Sequence, residues 1–132
     1  MNTAPLQRIV LIDDEPGVLK ALTLLLQTMG YQVLAFNGPQ EALTYLRAGV
    51  DPDLILSDQR MPGLSGSELF RTLRALSINA PFVLMSGHAQ ESDVREVLQA
   101  GSTAFLPKPF TPVSLKEALE GALTAGVRAR AS

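Results

Sequence analysis

The chain has 132 residues, 46% of them hydrophobic and 18% charged, and a formal net charge of −2. That length suits one domain whose core buries roughly two thirds of the unfolded surface, while the near-neutral charge lacks the electrostatic footprint of a nucleic-acid binder. There is no cysteine, which excludes disulfides, thiolate metal sites and a cysteine nucleophile.

Neither a signal-peptide pattern in MNTAPLQR nor any run near the ~20 apolar residues of a membrane span is present. No membrane association is expected, and a cytoplasmic location is the default.

Arg8 to Ile12, RIVLI, reads as a strand covered on both faces because it lacks polar alternation. It ends in Asp13 and Asp14, two adjacent carboxylates whose repulsion grows with burial. A positive group is expected beside them. The first helix has Pro16 in its opening turn, Val18, Leu22, Leu25 and Met29 on one face, and Gly30 as its stop. Leu24, Leu25 and Leu26 read as core residues plus one partly exposed leucine. A second strand, Tyr31 to Phe36, leads to a helix that opens at NGPQEAL and ends near Gly49.

The third strand, Asp53 to Ser57, runs into Asp58 and then the turn residues Pro62 and Gly63. Ser65 and Glu68 stand at capping-box spacing ahead of Leu69, Phe70, Leu73 and Leu76. GLSG at Gly63 to Gly66 lacks the spacing of a dinucleotide fingerprint. The fourth strand, Phe82 to Ser86, precedes a helix carrying Val94, Val97 and Leu98 and stopped by Gly101. Thr103 to Leu106 forms the fifth strand. Thr111 caps the last helix, Pro112 takes its first position, and Leu115, Leu119 and Leu123 form its inner stripe. The domain is expected over residues 1–125, with 126–132 a loose tail or the start of a linker.

Strand and helix alternate five times, which predicts a doubly wound α/β domain with a parallel sheet and helices on both faces. In such sheets ligands bind beyond the carboxyl ends of the strands, where strand order reverses. Asp13, Asp14, Asp58, Ser86 and Lys108 all fall on that rim. With strand order 2-1-3-4-5, Asp13 and Asp14 face Asp58 across the crevice. Three carboxylates bring a charge near −3, Lys108 offsets one unit, and a hard dication such as Mg²⁺ suits the rest.

IDDE after strand one, SDQRMPG after strand three, MSG after strand four and LPKPF after strand five together make the chain resemble the receiver domain of bacterial two-component response regulators, from about Arg8 to Leu123. The resemblance implies a flavodoxin-like (βα)5 three-layer sandwich. It implies that Asp58 accepts a phosphoryl group, and that Asp14, Asp58 and the Arg60 backbone carbonyl bind Mg²⁺ (or Mn²⁺), with Asp13 acting through a metal-bound water. Lys108 then pairs with phosphoryl oxygens, with Lys108-Pro109 cis, Ser86 donates its hydroxyl, and Phe105 takes the aromatic switch position.

Arg60 and His88 flank the phosphoryl group in this likeness. A bulky cation at Arg60 is not the commonest choice there, so slow dephosphorylation is expected. The implied partners are a sensor histidine kinase or histidine phosphotransfer protein, and downstream either a separate protein or an effector domain in a longer chain. Direct nucleic-acid contact is not expected. The domain is not expected to be an enzyme beyond catalysing its own phosphorylation and dephosphorylation. A Mg²⁺-dependent phosphohydrolase would pair its aspartyl nucleophile in a D-x-D motif, whereas Asp58 is followed by Gln59 and Arg60.

Overall fold

A computed structural model describes residues 6–87, 92–99 and 103–131. The elements follow in the order β1 (Arg8–Ile12), α1 (Pro16–Thr28), β2 (Gln32–Phe36), α2 (Pro39–Arg47) and β3 (Leu54–Asp58). They continue as α3 (Gly66–Ala75), β4 (Phe82–Ser86), α4 (Ser92–Gln99), β5 (Thr103–Pro107) and α5 (Pro112–Ala131). The strands form one parallel sheet in the order β2-β1-β3-β4-β5. Asp58 proves to be the last residue of β3 rather than the first of the following loop.

The pleat sends alternate side chains to opposite faces, and both faces are apolar. Val10, Ile12, Ile55, Phe82 and Leu84 pack with Ala42 and Leu46 of α2, Leu69 and Leu73 of α3, and Val94 and Val97 of α4. Ile9, Leu11, Leu54, Leu56, Val83 and Met85 pack on the other side with Leu22 and Leu26 of α1 and Leu115 and Leu119 of α5. β3 and β4 are buried along their whole length. Each fully buried leucine or valine contributes about 1.5–3 kcal/mol, so this double layer holds the rim in place.

The helix ends follow local chemistry. Pro16 and Pro39 open α1 and α2, while Gly30 and Gly49 follow their ends with φ of 96° and 100°, a region that glycine enters without a steric penalty. Ser65 and Glu68 close a full capping box on α3. Thr111 Oγ1 accepts from the Ser114 N–H at 3.1 Å, and Ser114 Oγ accepts from the Thr111 N–H at 2.9 Å.

The face of α1 read from the sequence packs on the sheet, with Leu22 and Leu26 buried and Val18, Leu25 and Met29 half-buried beside them. Two expectations need correction. Leu98 is 41% exposed, because Val94 and Val97 already point at the sheet and Leu98 lies a further 100° round the helix. Finally, α5 continues to Ala131 where a loose tail is expected after residue 125. Alanine and arginine are strong helix formers, so the helix propagates past its apolar stripe. Among the described residues no helix is long and apolar enough to cross a membrane.

Candidate functional site

The carboxyl ends of β1, β3, β4 and β5 bring four stretches of chain to one rim. Asp58 is 5% exposed there. Lys108, just beyond β5, reaches back so that its Nζ lies 2.9 Å from Asp58 Oδ1. The Gln59 N–H also donates to Asp58 Oδ1, at 2.9 Å. The Lys108 N–H donates to the Ser86 carbonyl at 2.9 Å, tying the end of β4 to the lysine loop. The Lys108-Pro109 bond is cis, as the sequence leads one to expect.

Asp13 is 1% exposed. Its Oδ1 accepts from the Glu15 N–H at 3.0 Å, and its Oδ2 is buried with no hydrogen-bond partner among the described residues. Burial pushes the Asp13 carboxyl above its ordinary range. The Glu15 N–H opposes this, while nearby Asp58 and Asp14 add to it and Lys108 subtracts. One carboxylate oxygen from each of Asp13, Asp14 and Asp58 lies within 4.8 Å of the others. A buried anionic oxygen without a partner, inside a cluster of hard oxygen donors, fits a hard cation.

Asp14, Glu15, Asp58, Arg60, Ser86, Gly87 and Lys108 line an open cleft of about 210 Å³ at this point. Ser86 is buried at its edge and Arg60 is exposed. Phe105 sits half-buried on β5 against the cluster formed with α2, α3 and α4. His88, expected to flank the same cleft, lies outside the described residues.

Three neighbours escaped the sequence reading. Gln59 and Ser67 are both buried. Ser67 donates its N–H to Gln59 Oε1 at 2.8 Å, and Gln59 Nε2 donates to Ser67 Oγ at 3.0 Å. Gly66 opens α3 so close to β3 that a Cβ on it would lie 2.5 Å from the Asp58 carbonyl oxygen and 2.6 Å from Leu84 Cδ1. The one available signal was an uncharged amide directly after Asp58, in a position that faces the core.

The response regulator receiver domain family model matches residues 9–120. The DNA-binding response regulator MtrA of Mycolicibacterium smegmatis is 36% identical over 109 residues, covering 83% of this chain and 47% of that protein. The transcriptional regulatory protein FixJ of Rhizobium meliloti is 35% identical over 112 residues, covering 85% of this chain and 54% of that protein. The chain thus spans about half the length of these curated relatives. Among solved structures, the receiver domain of a Pseudomonas aeruginosa sensor histidine kinase, with magnesium coordinated in its active-site cleft, superposes with a TM-score of 0.79 at 28% identity. That match covers 91% of this chain and 99% of the other. The expectation of no nucleic-acid contact finds no support among relatives described as DNA-binding and transcriptional regulators. The match over nearly the whole core, together with the sheet order and the acidic rim, makes this chain a member of the response regulator receiver domain family.

Proposed function

We propose that the chain is a phosphorylation-switched signalling domain in which Asp58 takes a phosphoryl group from a phosphohistidine on a sensor histidine kinase or histidine phosphotransfer protein. The observation that carries this reading is the 2.9 Å approach of Lys108 Nζ to Asp58 within the cluster formed with Asp13 and Asp14. Both donors to Asp58 fall on Oδ1, so Oδ2 is the oxygen left without a donor among the described residues. That oxygen attacks phosphorus, the P–N bond breaks, and the imidazole departs with the electron pair. The product is an acyl phosphate.

Asp14, Asp58 and the Arg60 carbonyl would hold Mg²⁺ (or Mn²⁺), with Asp13 acting through a water. The bound ion supplies charge neutralisation at the transferring oxygens. Lys108 follows the charge, exchanging Asp58 Oδ1 for a phosphoryl oxygen as a mobile point charge. The Ser86 hydroxyl donates to the same group, and Phe105 turns inward as Ser86 is drawn toward that group. The added charge, about −1.5 to −2 at neutral pH, biases a two-state equilibrium of the α4, β5 and α5 face.

The setting is the cytoplasm of a bacterial cell. The output is a downstream protein or an effector domain in a longer chain, for which DNA-binding domains of the kind named in the relatives are suitable. The domain acts only on itself. With Mg²⁺ and a small phosphodonor, intact-mass spectra are expected to show one added phosphoryl group, absent in Asp58→Asn. The same addition in both proteins would overturn the assignment.

A further inference from the structure

The loop from Gln59 to Ser65 joins the acceptor strand to α3 and carries Arg60 along the wall of the cleft. It is closed at its base by four contacts. The Gly66 N–H donates to the Gln59 carbonyl at 3.0 Å. The Gln59 side chain both accepts from the Ser67 N–H and donates to Ser67 Oγ. Ser67 Oγ in turn lies 3.2 Å from the capping hydroxyl of Ser65. A buried amide satisfied at both ends by one residue has little freedom to rotate, because losing either contact leaves a polar atom stranded in the core.

The same residue meets the site through its backbone. Its N–H is shared between the Met85 carbonyl and Asp58 Oδ1, each at 2.9 Å. The peptide after it leads directly to Arg60. Fixing the Gln59 side chain therefore fixes the N–H that orients the Asp58 carboxylate and the start of the segment bearing the Arg60 carbonyl. We propose that Gln59 is a positioning residue of this site, holding the acceptor carboxylate and the Arg60 carbonyl in register through its two-point clasp on Ser67. The proposal rests on the functional reading given above.

Gln59→Met keeps the length of the side chain and removes its polar atoms, whereas Ser67→Ala removes only the hydroxyl and keeps the N–H. Three measurements apply to wild type and both variants: amide exchange at residue 67 without metal, Mg²⁺ affinity by titration calorimetry, and the rate of Asp58-dependent phosphorylation. In Gln59→Met, exchange at residue 67 should accelerate and the Mg²⁺ dissociation constant should rise about tenfold, the scale seen when a group that orients a metal ligand is lost. Ser67→Ala, which loses one hydrogen bond of the clasp, should move the affinity in the same direction by about threefold.

A role confined to stability would lower the denaturation midpoint and leave the Mg²⁺ affinity of the folded protein unchanged. That result overturns the proposal. Should Gln59→Met fail to fold, unchanged affinity in Ser67→Ala overturns it alone. Wild type that takes no phosphoryl group at Asp58 overturns the functional reading and this proposal with it. Wild type that does so, beside variants of unchanged affinity, overturns this proposal only.

Discussion

Lys108 Nζ and Asp58 Oδ1 form an ion pair at 2.9 Å in which the carboxylate is nearly buried and the lysine about one-third exposed. The lysine thus occupies the positive end of a site that also gathers Asp13 and Asp14. It competes electrostatically with any cation the carboxylates bind. Lys108→Ala is expected to tighten Mg²⁺ binding by about fivefold, equivalent to about 1 kcal/mol of relieved repulsion, while slowing phosphoryl transfer. Titration calorimetry giving the wild-type affinity would show that the ammonium does not weigh on the metal.

Asp13 makes the metal-free site pH-sensitive. Its folded-state pKa is raised, chiefly by burial, so the folded chain holds this proton to higher pH than the unfolded chain. The associated stability is full below the unfolded pKa and is lost as pH rises through the folded one. In the presence of a chelator, Asp13→Asn should therefore be more stable than wild type at pH 7, by about 1 kcal/mol, with the gap closing toward pH 4. Asparagine retains the oxygen that accepts from Glu15. Equal denaturation midpoints at pH 7 would contradict the expectation.

Gly66 presses α3 onto the end of β3. In Gly66→Ala the new methyl would meet the Asp58 carbonyl, a backbone atom that cannot swing aside. The helix must back away, at a cost of about 1–3 kcal/mol, and phosphorylation should slow because the acceptor's own peptide moves. Chemical denaturation and a phosphorylation time course test the two effects together. A variant matching wild type in both would mean that the helix can shift freely.

Arg60 borders the cleft two residues beyond Asp58. Its guanidinium stays protonated and cannot act as a base, whereas its planar head can donate to phosphoryl oxygens and occupy the place of an attacking water. Arg60→Asn should shorten the phosphorylated lifetime several-fold, on the order of 1 kcal/mol in the barrier, with Mg²⁺ affinity little changed. Decay that is equally fast or slower in the variant would remove the shielding role.

The features legible in the sequence were those set by neighbouring residues. Continuous apolar runs marked the strands, Ser65 with Glu68 announced a cap, and the rim residues each ended a strand. What stayed hidden needed distance in space. Nothing beside Gly66 in the chain reveals that Asp58 and Leu84 crowd it, and the clasp joins Gln59 to a serine eight residues away. Helical periodicity gave the side of α1 but not its depth, since Leu22 and Leu26 are buried in the cluster with Ile9 and Leu11 of β1 while their neighbours on the same face are only half-buried. Likewise, the end of α5 was set by helix propensity after its apolar stripe had run out.

Lys108 and Asp58 are 50 residues apart along the chain, and the acidic pair arrives from a third place, the end of β1. These groups come together only when β1, β3, β4 and β5 are assembled in one sheet, so a cation that recognises them would recognise the folded state. Occupancy at a hundred times the dissociation constant would then protect the entire domain by about 2.7 kcal/mol. With such an ion bound, the divalent-ion concentration around the protein would become a determinant of its resistance to proteolysis, even at peptide bonds far from the rim.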